Sequence, residues 1–239
     1  MDGLIYNAVV LRAADYGEAD KTLDLYTLEA GRISAVIKGV KKPKAKLKPA
    51  AQPFCFGEYT LSKRDEYYTV TGCTLQDNFY DLAFCVDKFF AGCCMLEAAL
   101  LCTEKEIADK DIFVFLLRIL KELCYSDAPA ETVLTKFFME FLRLSGYRLS
   151  FDACAVCREQ PRNPSFDAAS GGVVCASCAA HSVPLEPAAH GALRIISGIE
   201  PEKLSSLRLN EAAQKTALNI AYSSFKYHLK TELKAFIRL

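Results

Sequence analysis

The sequence predicts an α+β protein: a small β barrel first, then a mainly helical domain with a four-cysteine module inserted in it. Three observations carry that reading. Residues 1 to about 79 are rich in short Val/Ile/Leu/Tyr segments separated by turn signals. From about Tyr80 the apolar spacing changes to three- and four-residue steps. Between residues 150 and 180 helical periodicity is lost, and two Cys-x2-Cys pairs appear. The resulting divisions are 1–79, 80–149, 150–180 and 181–239.

Taken in order, Leu4 to Arg12 is a first strand and Lys21 to Leu28 a second, with Leu23, Leu25 and Tyr26 apolar. After Gly31, Ile33, Ala35 and Ile37 fall on one strand face and Ser34, Val36 and Lys38 on the other. Ala51 to Ser62 and Tyr67 to Leu75 complete five strands. The OB-fold barrel has that strand count, although periodicity alone does not separate it from an SH3-like barrel. Phe79 to Thr103 is read as one helix with Leu82, Cys85, Phe89, Cys93, Leu96 and Leu100 inward. Asp111 to Tyr125 is a second, buried through Ile112, Phe115, Ile119 and Leu123. Ala130 to Ser145 is a third, with Leu134, Phe137, Phe138, Phe141 and Leu142 inward and Gly146 as its C-terminal stop. Helices resume near Ala188 and end in a long segment from Asn210, a fair N-cap, to Leu239.

The chain has 239 residues, 51% of them apolar, enough to bury a substantial core. No uncharged apolar run reaches the roughly 18 residues of a membrane helix, and Met1-Asp2-Gly3 lacks the layout of a signal peptide, so a cytoplasmic protein is expected. Basic and acidic residues balance at 29 each, yet Arg32, Lys38, Lys41, Lys42, Lys44, Lys46 and Lys48 fall in one stretch without an acid. Pro43 and Pro49 disfavour regular structure there, so a mobile, extended loop is expected. Closely spaced lysines on such a loop suit a phosphate backbone, whose counterions they displace. Tyr26, Phe54, Phe56, Tyr59, Tyr67 and Tyr68 lie near enough in sequence to offer stacking surfaces for bases, about half of them buried by alternation. A solvated surface loop is the plainer alternative.

Of the eleven cysteines, Cys55, Cys73, Cys85, Cys93, Cys94, Cys102 and Cys124 sit among apolar neighbours and read as core fillers. Cys154, Cys157, Cys175 and Cys178 are different: two Cys-x2-Cys turns separated by 17 residues. Each turn aims two thiolates at one point, and four of them close a tetrahedron around Zn²⁺. The predicted cofactor is thus a single structural zinc; His181 in place of Cys178 is a minor variant. The chain has no phosphate-binding glycine loop, nucleophile elbow or HExxH, and His181, His190 and His228 are far apart. No enzymatic activity is expected, and His228 reads as a core or boundary histidine. A metal-dependent nuclease would need clustered carboxylates, of which Asp15, Glu18 and Asp20 are the only tight group near the basic stretch. A zinc-ribbon adaptor working through protein–protein contacts is the other alternative.

The runs Ala8-Val-Val-Leu-Arg12, Tyr16-Gly-Glu-Ala-Asp-Lys21, Tyr26-Thr-Leu-Glu-Ala-Gly-Arg32 and Lys38-Gly-Val-Lys-Lys-Pro-Lys44 resemble the N-terminal domain of the RecO family of bacterial recombination mediators. Val40 and Ala45 depart from the family's small residue and serine without altering the basic character. The resemblance implies an OB-fold and a helical domain, as in zinc-containing members. It also implies binding of single- and double-stranded DNA, strand annealing, and work with RecR and single-stranded-DNA-binding protein to place RecA on DNA. With it, Arg12 joins Arg32, Lys38, Lys41, Lys42, Lys44, Lys46 and Lys48 as a DNA-contact candidate, the location becomes the cytoplasm at the nucleoid, and Arg194 is a conceivable extension from the helical domain.

Overall fold

Five strands, β1 (Leu4–Tyr16), β2 (Asp20–Thr27), β3 (Gly31–Ile37), β4 (Phe56–Arg64) and β5 (Tyr67–Asp77), close into a barrel in the computed structural model, which describes residues 3–179 and 182–238. The order around the barrel is β1-β2-β3-β5-β4. Strand β1 pairs antiparallel with both β2 and β4, while β3 pairs in parallel with β5. This order and its parallel seam are those of the OB-fold and exclude the SH3-like alternative. Period-two alternation fills the barrel with Ala8, Val10, Leu23, Leu25, Ile33, Ala35, Ile37, Leu61 and Val70. A β-bulge between Val10 and Arg12 resets the register, after which Arg12 stands opposite Asp24. Strand β4 begins later than the expected Ala51, because Pro49–Ala51 forms a 3-10 turn and Phe54 takes φ 73°.

The chain divides into two compact units, Met1–Leu120 with Ala235–Leu239, and Lys121–Lys234. The first therefore includes the barrel, α1 (Val86–Cys102) and most of α2 (Lys110–Tyr125). The helix expected over Phe79–Thr103 is interrupted: Phe79 takes φ 47°, Tyr80–Phe84 is a 3-10 turn, and Cys85 is extended. Its inward face also differs. Leu82 and Leu96 are buried as expected, but Cys85 and Phe89 are exposed, and Ala91, Cys94, Met95, Ala98 and Ala99 form the rest of the buried face. The segment is apolar on nearly every side, so spacing offers no contrast by which to choose a face. Helix α2 buries Ile112, Phe115, Ile119 and Leu123, and the Asp109 carboxylate accepts the Ile112 N–H at 3.0 Å at its start.

The segment between α1 and α2 crosses the end of β3. Glu106 N–H donates to the Arg32 carbonyl at 3.0 Å. Gly31, at φ 67°, lies directly against the Ile107 carbonyl, leaving no room for a Cβ. Both the left-handed backbone and the close approach require glycine.

In the second unit, α3 (Ala130–Leu144) is buried on most sides. Phe137, Phe138 and Phe141 pack with Tyr222 and Phe225 of α5 (Glu211–Leu229). Gly146 N–H donates to the Arg143 carbonyl and Tyr147 N–H to the Leu142 carbonyl, a Schellman stop with Gly146 at φ 91°. Helix α4 (Pro187–Gly198) completes the helical layer. Short strands β6 (Ser165–Asp167), β7 (Gly172–Val174) and β8 (Val183–Pro184) form a three-stranded sheet in the order β7-β6-β8. Asn210 caps α5 by accepting the Ala213 N–H at 3.0 Å. That helix stops at Leu229, short of the expected run to Leu239, because Lys230 takes the left-handed conformation at φ 52°; Leu239 itself lies outside the described residues. No described helix is long and apolar enough to cross a membrane.

His228 stacks on Tyr147 at 4.9 Å, and its Nε2 is buried with no partner among the described residues. Desolvation, opposed by a hydrogen bond to the Ala168 backbone, holds its pKa below the ordinary histidine value. The unfolded chain then binds this proton more readily than the folded one, and stability falls as pH drops below about 6.5. Urea unfolding of His228→Leu is expected to show a shallower loss of stability than the parent across about pH 5 to 7. For Gly31→Ala the expected outcome is a loss of about 2 kcal/mol or more in unfolding free energy.

Candidate nucleic-acid interface and metal centre

Beyond β3 the chain must cross an end of the barrel to reach β4. Segment 38–51 does so as a ribbon of turns, with N–H to C=O bonds at three-residue steps. Lys42 donates to Gly39 at 3.2 Å, Ala45 to Lys42 at 3.1 Å, Lys48 to Ala45 at 3.3 Å and Ala51 to Lys48 at 3.4 Å. Gly39 N–H is held by the Asp20 carboxylate at 2.7 Å, and Val40, Leu47, Ala50 and Ala51 pack on the barrel core. The mobile, extended loop expected from the prolines is thus an ordered, anchored ribbon. Its apolar residues recur at irregular steps that match neither a helix nor a strand, so local periodicity does not reveal the anchoring.

The anchoring turns the lysines outward. Lys38, Lys42, Lys44, Lys46 and Lys48 are exposed, and none makes an ion pair or side-chain hydrogen bond among the described residues. The other three cations are engaged. Arg12 donates to Asp24 at 2.7 Å, an interaction supported by Ser34 Oγ donating to the same carboxylate at 2.7 Å. Lys41 pairs with Asp15 at 2.9 Å and holds the Asp15 carboxyl below the usual carboxylate range. Arg32 is half-buried and gives two N–H groups to the Thr103 carbonyl at 3.2 and 3.0 Å. The acidic group is likewise committed to scaffolding: Asp15 pairs with Lys41 and Asp20 holds Gly39.

Of the aromatics considered for stacking, Tyr26, Phe54, Tyr59 and Tyr68 are buried and Phe56 is half-buried; Tyr67, at the β4–β5 hairpin, is 76% exposed. Tyr67 lines a shallow groove with Lys38, Ser62, Arg64, Asp65, Thr69 and Thr71 on the outer face of the barrel. Sequence reasoning did not single out Arg64, although it shares the outward phase of Ser62. Nor did it single out Tyr16, which ends β1 next to the β1–β2 loop and is 57% exposed. Tyr16 and Tyr67 flank the two loops that OB-folds use, with the β2–β3 face, to hold oligonucleotides.

In the second unit, Cys154, Cys157, Cys175 and Cys178 converge, their sulfurs all within 4.8 Å of one another. Cys157 Sγ and Cys175 Sγ are 3.7 Å apart, close to the edge of about 3.8 Å of a tetrahedron with 2.3 Å metal–sulfur bonds. Backbone turns build it: Arg158 N–H donates to the Cys154 carbonyl at 3.0 Å and Cys178 N–H to the Cys175 carbonyl at 3.0 Å. Arg158 takes φ 68°, the left-handed position often given to glycine after the second cysteine of such a turn. The Cys157 N–H is the main cause that brings the Cys154 thiol down to about 6, while hydrogen bonding with Cys175 pushes Cys178 up to about 12. Metal binding to the four as thiolates would release protons and weaken as pH falls. The cluster of Cys154, Cys157, Cys175 and Cys178 can hold a metal ion; His181, the minor alternative to Cys178, lies outside the described residues. Among the remaining cysteines, Cys55, Cys94 and Cys124 are buried as expected of core fillers, whereas Cys85 is exposed.

Fold and site together define an OB-barrel protein with a cationic, aromatic-flanked outer face and a helical part carrying a four-cysteine cluster able to hold a metal ion. Residues 1–79 match the family described as Recombination protein O N terminal, and residues 86–235 match Recombination protein O C terminal. The chain is 30% identical to DNA repair protein RecO of Pelotomaculum thermopropionicum over 96% of this chain and 91% of that protein. It is 31% identical to the protein of the same name from Desulfitobacterium hafniense strain DCB-2, over 96% and 86%. It is 26% identical to that of Desulforamulus reducens, over 95% and 90%. The chain belongs to the RecO family.

Cys157→Ser is expected to lower bound metal to well below one equivalent by elemental analysis and to expose the remaining thiols to a thiol reagent. The barrel, whose core shares no residue with the module, should keep its strand signal.

Proposed function

We propose that this protein is a non-enzymatic DNA-binding recombination mediator. It binds single- and double-stranded DNA in the cytoplasm at the nucleoid, and anneals complementary strands. With RecR it helps load RecA onto DNA covered by single-stranded-DNA-binding protein. Relatives named DNA repair proteins support the setting. The observation that carries the DNA contact is the set of five exposed, unpartnered ammonium groups, Lys38, Lys42, Lys44, Lys46 and Lys48, held on one ordered ribbon. Point charges of this density neutralise phosphates and reduce the repulsion between two strands brought side by side. Arg12 and Lys41, exposed but paired, contribute at the margin; Arg32 acts mainly by holding the 103–106 segment. Tyr67 and Tyr16 supply stacking surfaces, each worth about 1–3 kcal/mol when a base is engaged. Cys154, Cys157, Cys175 and Cys178 would hold a single structural zinc as thiolates; four protein sulfurs would complete a tetrahedral shell and leave no position for a reacting water.

In a fluorescence titration with oligothymidylate across a salt series, Lys42, Lys44, Lys46 and Lys48 all replaced by Ala should reduce the log–log slope by about 3. An unchanged slope would remove the ribbon from the interface. Annealing of complementary strands coated with single-stranded-DNA-binding protein should fall in parallel.

A further inference from the structure

The second unit carries a cleft lined by four arginines, Arg143, Arg148, Arg158 and Arg194, together with Glu140 and Asp152. Both carboxylates are already neutralised. Glu140 pairs with Arg143 at 2.7 Å and lies 3.7 Å from the ammonium of buried Lys136. Asp152 pairs with Arg194 at 2.7 Å. That leaves the guanidinium groups of Arg148 and Arg158, both exposed and with no side-chain hydrogen bond or ion pair among the described residues.

Arg158 is placed by the cysteine module. It follows Cys157 directly, and its N–H closes the turn onto the Cys154 carbonyl. Its φ of 68° is a conformation glycine would adopt without strain, so an arginine here carries a conformational cost that the turn does not need. Of the cleft's apolar lining residues, Met139 and Phe151 are buried and Leu149 is half-buried, so Leu149 is the main apolar side chain offered to a peptide, against four guanidinium groups. Guanidinium forks match the paired oxygens of a phosphate.

We propose that this cleft binds a backbone phosphate of DNA through Arg148 and Arg158, and that the metal-bound module sets the position of Arg158. The inference rests on the reading of the chain as a DNA-binding protein and adds a contact separate from the lysine ribbon. It makes the metal centre a determinant of DNA affinity as well as of folding.

The test uses the metal-loaded full chain, fluorescein-labelled oligothymidylate and a salt series. Arg158→Gly removes the guanidinium while easing the left-handed turn, so it should keep its metal and melt no lower than the parent. Arg148→Ala with Arg158→Gly should reduce the log–log slope by about 1.4, at about 0.7 per phosphate on a single strand. Chelation should weaken the parent more than it weakens Arg158→Gly. Unchanged binding in the double variant, with the ribbon's contribution intact, overturns the cleft and spares the DNA reading. Failure of the parent to bind at low salt overturns both. Inorganic pyrophosphate should compete with the oligonucleotide in the parent only weakly; strong competition that the double variant abolishes would reassign the cleft to a free phosphate ligand. If the double variant keeps its DNA affinity but loses binding of an acidic peptide, the cleft is a protein-docking site and the proposal falls.

Discussion

Strand β3 pairs in parallel with β5, and the chain cannot make that pairing without leaving the sheet, crossing a barrel end and returning through β4. The crossing is the lysine segment. Because it spans an apolar opening, its small and aliphatic residues are drawn inward: Val40, Leu47, Ala50 and Ala51 join the core, and Tyr59 OH donates to the Ala50 carbonyl at 2.8 Å. Once those anchors are seated, the interleaved lysines other than Lys41, which pairs with Asp15, have only solvent to face. Closure of the barrel thus produces both the fold of the first unit and its cationic edge. A freely moving loop with the same charges would lose more entropy on meeting a phosphate backbone, since each immobilised residue loses about 1–2 kcal/mol of backbone freedom.

Local balance of charge separates scaffold from surface. Arg12, Lys41 and Arg32 meet Asp24, Asp15 and the Thr103 carbonyl, and these contacts fix the strands, the start of the ribbon and the segment leading to α2. The five other lysines of the segment lack such partners. The same division recurs in the cleft of the second unit, where Arg143 and Arg194 are matched and Arg148 and Arg158 are not. Zero net charge over the chain conceals both, since pairing within a surface and not the total decides the field a phosphate meets.

The cysteine module has little apolar substance: three short strands, with Phe151 stacked on Phe166. Four converging sulfurs there can hold a metal ion, and a bound metal contributes folding free energy in a small module of this kind. Its geometry is set by hydrogen-bonded turns, one of which holds an arginine in a glycine-like conformation.

By itself the sequence determined the features that depend on neighbours in the chain. Alternation at Ile33, Ala35 and Ile37 specified which face of β3 turns inward, and the stripe Ile112, Phe115, Ile119 and Leu123 specified the buried side of α2. The paired Cys-x2-Cys turns announced a four-cysteine cluster able to hold a metal ion, because two-residue spacing suffices to bring the thiols of each pair together. Tertiary structure decided what depends on partners distant in the chain. It closed the barrel in OB order, broke the first helix at Phe79–Cys85, and chose an inward face for α1 where uniform apolarity offered no preference. It buried Tyr26 and Tyr68 while leaving Tyr67 in solvent, although Tyr67 and Tyr68 are adjacent. It also tied Arg32 to Thr103, 71 residues away, and left its lysine neighbours unpartnered. A residue's type and spacing state what it can bind; whether another group has already bound it is a matter of three-dimensional neighbours.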